Sequence, residues 1–384
     1  ARRAIRRRLR TARGRDSDRP PVEQSDANSE RHYRRNCGAG LVHGVYFQAS
    51  AAFGSIHTVL PAFVATLTGS TIAVGLMAAV QGAGEIVPQL FTAYLLEDRL
   101  RKKPVLLAVI TIRWMSWLLL AYLTLNYAAT RPELVLGVLL VLFGVFSLAG
   151  GVGAVAYADV FSKAIPAQRR GRFVALRQLF GYLLAIGAGY VVKVILEDPA
   201  RFPYPANYAV IFLLSAAGLL VAFSGFALIR EPVYPVKRAS PSLGHLLRRA
   251  VILARQNANF RRLLGAQALT VTVLALAPFY VVYAQDVADV DLGMVGIYLS
   301  AQMAGAALSN LVWGWLGDRD GNRSVIIGTA ITGAMAPLLA LVAPHTTSSL
   351  FVLVFSFLGA TMSGLRLGYS NFILEMAPVE MRPT

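Results

Sequence analysis

The sequence predicts an all-α polytopic membrane protein built from two related helical bundles. Of its 384 residues, 56% are hydrophobic and only 15% are charged, whereas soluble proteins carry about 25% charged residues. The apolar residues gather in segments of the length that a helix needs to cross a hydrocarbon core about 30 Å thick. A charged pattern also occurs twice in corresponding places, which indicates that the chain is internally duplicated.

The chain opens with an Arg-rich segment, residues 1–38, that contains almost no large apolar side chains. Such a composition cannot bury a core, so we predict a disordered cytoplasmic tail that helps to fix the topology. The alternative for this tail is binding to nucleic acid or to lipid headgroups.

Ten apolar segments follow the tail, and we interpret them as membrane spans. Their approximate ranges are 41–67, 72–97, 104–128, 133–161, 172–196, 207–229, 263–286, 292–317, 324–343 and 347–376. We assign residues 39–230 to a first bundle of six helices. Residues 263–384 form the first four helices of a second bundle, and residues 231–262 form a central loop between the two.

The Lys and Arg residues are distributed unevenly between the two sides of the predicted membrane. Nearly all of those outside the spans fall on the side of the tail and central loop, and only Arg131 and Arg201 fall on the other. The positive-inside rule therefore places the N-terminus and central loop in the cytoplasm. This distribution explains the net charge of +17 without nucleic acid. Leucines at helical spacing among arginines in the central loop predict an amphipathic helix on the inner membrane surface.

The clearest repeated element is residues 314–323, which we interpret as a short polar turn with a carboxylate, two guanidinium groups and two glycines. The similarity extends further towards the N-terminus of each copy. Residues 74–99 and 295–319 each begin with Val-Gly, continue with a Gln and an Ala-Gly pair, and end with Asp-Arg, at nearly equal spacing. A Pro-x-x-x-Arg sequence also occurs twice, at 166–170 and 378–382. Two sets of repeats in corresponding loops support the duplication.

This organisation resembles the major facilitator superfamily of transporters, whose signature after the second and eighth spans is roughly Gly-x-x-x-Asp-Arg-x-Gly-Arg-Arg/Lys. The matching residues of the second copy are Gly314, Asp318, Arg319, Gly321 and Arg323. The matching residues of the first copy are Asp98, Arg99, Lys102 and Lys103, whereas Tyr94 and Arg101 replace its glycines. Because the family has twelve spans, we expect two more beyond Thr384.

The resemblance implies alternating access, in which two bundles rock around a site near the membrane midplane. It also implies that the charged turns act as cytoplasmic latches, with Asp98 binding the eleventh span and Asp318 the fifth. An Asp can accept hydrogen bonds from a helix N-terminus, where the helix dipole is positive. Only the Asp318 latch has both partners within the sequence. The alternative is that both turns serve only as topology anchors.

Ionisable side chains inside a span are costly and are functional candidates. Glu85 lies near the middle of the second span, one turn from Gln81, at a depth that permits contact with Arg113. A structural ion pair and a role in substrate or proton binding are both open for this pair. Arg366 has no acidic residue nearby in sequence, which favours a functional role. The remaining pathway candidates are His57, Gln267, Gln302 and Asn371.

We therefore expect secondary active transport of a small solute, by a protein that is not an enzyme. Arg113 and Arg366 favour an anionic or zwitterionic substrate, and Glu85 is the candidate for proton coupling. No ATP-binding Gly-x-x-x-x-Gly-Lys-Ser/Thr loop occurs, and we predict no cofactor or metal. We expect a monomer in a bacterial inner membrane. The alternatives are a membrane enzyme that acts on lipid-linked substrates and a transporter-like sensor or scaffold.

Overall fold

The computed structural model describes residues 21–96, 99–232, 243–288 and 290–372, which are helical with short connections. The α-helices of this part of the chain are α1 Pro21–Phe53, α2 Val59–Thr68, α3 Thr71–Leu95, α4 Lys103–Tyr127, α5 Pro132–Ala164, α6 Ala167–Glu197, α7 Ala206–Leu228, α8 Leu243–Gln256, α9 Ala258–Ala275, α10 Ala277–Ala288, α11 Met294–Asp320, α12 Asn322–Val342 and α13 Leu350–Gly364. A 3₁₀ turn, Ala343–His345, follows α12, and a π turn, Leu365–Tyr369, follows α13.

The surface of the helical bundle is apolar. Large hydrophobic side chains are exposed around it, including Ile72 at 82%, Leu311 at 74% and Leu269 at 72%. A soluble monomer rarely exposes so much contiguous apolar surface, whereas lipid tails accept it. In the described part of the chain, nine helical segments are long and apolar enough to cross a membrane. The chain is therefore an integral membrane protein, as its composition predicts.

The structure corrects the predictions for the start of the chain. Helix α1 begins at Pro21, so the prediction of disorder is wrong for residues 21–38, and residues 1–20 lie outside the described part. The first span is also not one helix over 41–67, because α1 ends at Phe53 and α2 begins at Val59. Gly54 lies at this break, where a side chain would overlap the Trp117 ring.

Asn36 explains why the N-terminal helix is anchored. The side chain is fully buried. Its amide nitrogen donates to the carbonyl oxygens of Ala164 (3.3 Å) and Arg230 (3.1 Å), and its oxygen accepts from the Arg230 backbone N–H (2.9 Å). One buried amide thus joins the first helix to the ends of α5 and α7, where carbonyl groups have no partner within their own helices.

The spans form two halves, α1–α7 and α9–α13, with α8 between them in sequence. The helix α8 lies within the segment that we predicted as the central loop. We call the end of the bundle where α4 begins and α11 ends the basic end, because residues 99–103 and 319–323 lie there. The opposite end, where α4 ends and α11 begins, is the far end.

The two halves make their closest described contact where α6 crosses α11 near the far end. A side chain at Gly189 would overlap Ser300, and one at Gly296 would overlap the backbone of α6. The Ser300 hydroxyl donates to the Ile186 carbonyl oxygen at 3.0 Å. Small residues allow helix backbones to approach in this way within a membrane. Helix α10 adds contacts with α2 and α3, so the halves are joined towards the far end.

The crossing of α6 and α11 can be tested by adding side-chain volume. Gly189→Val should destabilise the protein by about 1–3 kcal/mol, because the new methyl groups have no room against α11. Gly187→Val is the matched control, since nothing lies within 4 Å of a side chain added at that position of the same helix. Thermal unfolding in detergent measures the difference, and equal melting temperatures for the two variants would contradict the close crossing.

Candidate functional site

A small cavity of about 30 Å³ lies between the two halves at mid-depth. Gln48 of α1 and Tyr182 of α6 line it from the first half. The lining residues of the second half are Gln302, Met303, Ala306, Gly359, Met362, Ser363 and Arg366. Both halves therefore contribute polar groups to one partly open space, in which Arg366 is exposed.

Arg366 reaches this cavity from the π turn that follows α13. A π turn often marks a functional site in a helix. One glycine precedes the turn and another lies within it: a side chain at Gly364 would overlap Thr329, and one at Gly368 would lie 3.1 Å from Val325. The π turn thus packs closely on α12, while the guanidinium of Arg366 faces the space between the halves. Arg366 forms no ion pair with the described residues.

The two amides that line the cavity have weak hydrogen-bond partners. Gln302 is fully buried. Its Nε2 donates to the sulfur of Met362 at 3.2 Å, and its Oε1 has no described partner. Gln48 Nε2 donates to the sulfur of Met303 at 3.8 Å. A thioether is a weak acceptor, so both amides retain capacity for a stronger ligand.

His57 lies beside this cavity, in the break between α1 and α2. Its backbone N–H donates to the Ser55 hydroxyl at 3.3 Å, while its Nδ1 is buried without a described partner. The imidazole is close enough to Arg366 for an electrostatic interaction. Three predicted pathway residues, His57, Gln302 and Arg366, are therefore near one another, although they come from different halves.

Glu85 and Arg113 form a separate group inside the first half. Gln81 Nε2 donates to Glu85 Oε1 at 3.3 Å, across one turn of α3. The Arg113 guanidinium lies 3.9 Å above the centre of the Phe146 ring and 5.2 Å from that of Phe47. Arg113 interacts electrostatically with Glu85, but the two form no ion pair in the described structure.

Close packing of α3 on α5 brings Glu85 and Arg113 together. A side chain at Gly84 would lie 2.6 Å from the Ser147 side chain, and one at Gly151 would lie 2.6 Å from the Glu85 carbonyl oxygen. Gly150, next to it, leaves room for the Arg113 guanidinium, which lies 3.3 Å from the position of an added side chain. The aromatic faces and glycines around Arg113 were not predicted, because they come from α1 and α5.

Two predicted pathway residues lie apart from both groups. Gln267 is half-buried on α9, and Asn371 is exposed near the last described residue. Neither lines the cavity, and neither forms a hydrogen bond with a described side chain.

The first copy of the charged pattern is tied into the first half. Lys103 Nζ donates to the carbonyl oxygens of Ala227 (2.6 Å) and Ile229 (2.7 Å), at the C-terminus of α7. The nearly buried Glu231 carboxylate accepts from the backbone N–H groups of Lys102 (3.0 Å) and Lys103 (2.9 Å). It thereby caps the first turn of α4, where the helix dipole favours an anion.

An ion-pair cluster extends this network to α5. Asp159 lies 3.1 Å from Lys102 Nζ and 2.5 Å from Lys163 Nζ, and Lys163 also lies 3.7 Å from Glu231. We did not predict Glu231 as a functional residue. Its signal in the sequence is a carboxylate at the end of the sixth span, within a loop rich in basic residues. Of the other residues in the first copy, Arg99 is exposed and Asp98 lies outside the described residues.

The second copy projects from the basic end with few contacts. Helix α11 continues to Asp320, so the prediction of a turn at Gly314 is wrong, and only Gly321, with a φ of 81°, forms the turn. Arg319 lies over the Trp315 ring at 5.2 Å and 3.8 Å from Asp320. Asp318 and Arg323 are exposed. Asp318 makes no hydrogen bond or ion pair with the described residues, so its predicted latch with α6 is open here.

The Pro-x-x-x-Arg sequence has a local structural explanation. Arg170, in the first turns of α6, donates to the carbonyl oxygens of Ser162 (2.5 Å) and Ile165 (3.1 Å). It thus satisfies acceptors at the C-terminus of α5, which a helix leaves without partners. The second copy, at 378–382, lies outside the described residues.

Comparisons with known proteins agree on one family. A family model described as Major Facilitator Superfamily matches residues 42–384. An uncharacterized protein of Mycobacterium tuberculosis, and another of Mycobacterium bovis, are each 26% identical over 311 residues, which covers 80% of this chain. The match spans 58% of the length of these relatives.

Solved structures of transporters share the fold. A mutant form of the nucleoside transporter NupG has a TM-score of 0.68 and 16% identity, over 90% of this chain and 85% of its own. A bacterial homolog of the human lysosomal transporter Spinster, in an inward-facing and unoccupied conformation, has a TM-score of 0.66 and 13% identity, over 90% of this chain and 76% of its own. A D-xylose-proton symporter has a TM-score of 0.65 and 12% identity, over 91% of this chain and 84% of its own.

The two copies of the charged pattern should differ in their effect on stability. Lys103→Met should cost about 1–3 kcal/mol, because two carbonyl groups at the end of α7 lose their donor. Arg319→Met should change the unfolding free energy little, since an exposed ion pair contributes at most about 1 kcal/mol. Thermal unfolding of both variants tests this contrast. A loss of unfolding free energy in Arg319→Met as large as that in Lys103→Met would contradict this contrast.

Proposed function

The chain belongs to the Major Facilitator Superfamily, and on that premise we propose that it is a secondary active transporter for a small solute. The observation that carries the proposal is the cavity between the halves, to which α1, α6, α11, α13 and the π turn all contribute and in which both halves place polar side chains. A site at mid-depth between two halves is what alternating access requires. Family membership and the transporter neighbours point to transport rather than to an enzyme.

The basic end faces the cytoplasm in our proposal, because Lys and Arg concentrate in cytoplasmic loops. The membrane is then the cytoplasmic membrane of a bacterium, a location that the mycobacterial relatives support. Exposed Arg248 and Arg255 on α8 would bind anionic lipid headgroups. Both halves line the cavity from the same chain, and we propose a monomer.

The contacts between the halves support an inward-facing state. The crossing of α6 and α11 closes the far end, and exposed Asp318 lacks a described partner at the basic end. When the basic end closes, Asp318 accepts hydrogen bonds from the N-terminus of α6, where the helix dipole is positive. Lys102 and Lys103 instead hold the first half together in both states, because their partners lie within that half.

Glu85 is the proposed site of proton coupling. Its carboxylate is half-buried within the membrane span, with Gln81 as a hydrogen-bond donor and Arg113 as a nearby cation. A neutral, protonated Glu85 would weaken the interaction with Arg113, which contacts the ring of Phe47 on α1. Proton binding would thereby act on α1, a helix that lines the central cavity.

The role of Glu85 can be tested with purified protein in liposomes and a panel of small solutes. We expect saturable flux of at least one solute, accelerated by an inward proton gradient. Glu85→Gln should abolish that acceleration, because the amide cannot bind a proton. Glu133→Gln is the control, since Glu133 is exposed at the far end. Unchanged pH dependence in Glu85→Gln would remove the coupling role, and absence of flux for every solute would contradict transport.

A further inference from the structure

The charge that lines the central cavity is not balanced. Arg366 is the one charged side chain among the described lining residues, and none of them is a carboxylate. The Arg366 side chain is exposed to the space between the halves, so water hydrates its charge when no ligand is bound, and a counter-charge from solution can reach it. The imidazole of His57 adds a polar group beside Arg366 but no negative charge. The cavity therefore favours a ligand that brings a negative charge.

Arg113 does not compete for this role. Its guanidinium is stacked on Phe146, and the nearby Glu85 carboxylate offsets its charge. Arg113 is also absent from the lining of the cavity. Of the two arginines that the sequence offers as anion ligands, the structure leaves Arg366 available.

The amides define the rest of the ligand. Gln48 Nε2 can exchange the distant sulfur of Met303 for a ligand oxygen. Gln302 Oε1, which is buried and without a described partner, needs a hydrogen-bond donor. A buried acceptor without a partner is destabilising, and a ligand that supplies the donor removes that cost. The ligand should therefore carry both an anionic group and a donor.

We propose that the central cavity binds a small oxyanion that also bears a hydroxyl or amine donor, with Arg366 on the anionic group, Gln302 on the donor and Gln48 on a ligand oxygen. That this ligand is the transported substrate rests on the proposed transport function. Its binding does not, because binding can be measured without transport. A guanidinium suits an oxyanion because its parallel N–H groups match the two oxygens. The cavity itself has room for about one water, so the ligand would also occupy the open space around exposed Arg366. It would join the halves, since Gln48 belongs to one and Arg366 to the other.

Ligand binding can be measured by thermal unfolding in lipid-free detergent. The probes are lactate and inorganic phosphate, each an oxyanion with an O–H donor, at constant ionic strength against sodium chloride. Glycerol, which has donors but no charge, is the comparison solute. We expect at least one probe to raise the melting temperature of the wild-type protein, and glycerol to have no such effect.

Variants then locate the site. Arg366→Gln should weaken the apparent affinity by about 10- to 100-fold, the cost of losing a charge-assisted hydrogen bond. Arg366→Lys keeps the charge but loses the bidentate geometry, so its apparent affinity should lie between those of the wild-type protein and Arg366→Gln. This variant also replaces Arg366→Gln if that variant does not fold. Arg201→Gln is the control, because Arg201 is exposed at the far end.

Three results would overturn this proposal. The first is that neither probe stabilises the wild-type protein. The second is equal stabilisation of the wild-type protein, Arg366→Gln and Arg366→Lys. The third is stabilisation by added phosphatidylglycerol alone, which would assign Arg366 to a lipid headgroup. Binding that depends on Arg366 without flux in liposomes would instead contradict the transport function and leave the anion site in place.

Discussion

The crossing of α6 and α11 at Gly189 and Gly296 is the contact on which the arrangement of the two halves depends. The backbones of these two helices approach so closely that neither glycine has room for a side chain. The larger described contacts between the halves lie towards the far end, and at the basic end Asp318 is exposed without a described partner. The close contacts towards the far end and the exposed Asp318 at the basic end are the two observations that support an inward-facing state.

The charged side chains of the two halves fall into two groups, those that are paired within the protein and those that are not. At the basic end, Lys102, Lys103, Asp159 and Glu231 satisfy one another and the nearby helix termini, so they stabilise the first half as a rigid unit. At mid-depth, Arg366 has no such partner among the described residues. Charges that are paired with one another stabilise the folded protein, whereas an unpaired charge that lines a cavity is available to bind an anionic ligand. The distinction separates two sets of basic residues that look alike in sequence.

The sequence predicts the membrane class, the spans and the duplication, because span length and charge distribution follow from the bilayer itself. It does not predict the break at Gly54, which depends on the Trp117 ring of another helix. The partners of Arg113 and the cap that Glu231 provides for α4 are likewise contacts between distant segments. The turn predicted at Gly314 is wrong because glycine, although it favours turns, also occurs within membrane helices that pack closely.

The central claim is that the two halves rock about the cavity, so that one end closes as the other opens. Pulsed electron paramagnetic resonance on the Cys37→Ser protein tests it directly, with spin-label pairs at Gly171 and Arg323 for the basic end and at Arg131 and Asp291 for the far end. These four positions are exposed. If the halves rock, each pair shows two distances, and lactate or phosphate shifts the distances at the two ends in opposite directions. A single distance at both ends, unchanged by either probe, would contradict alternating access.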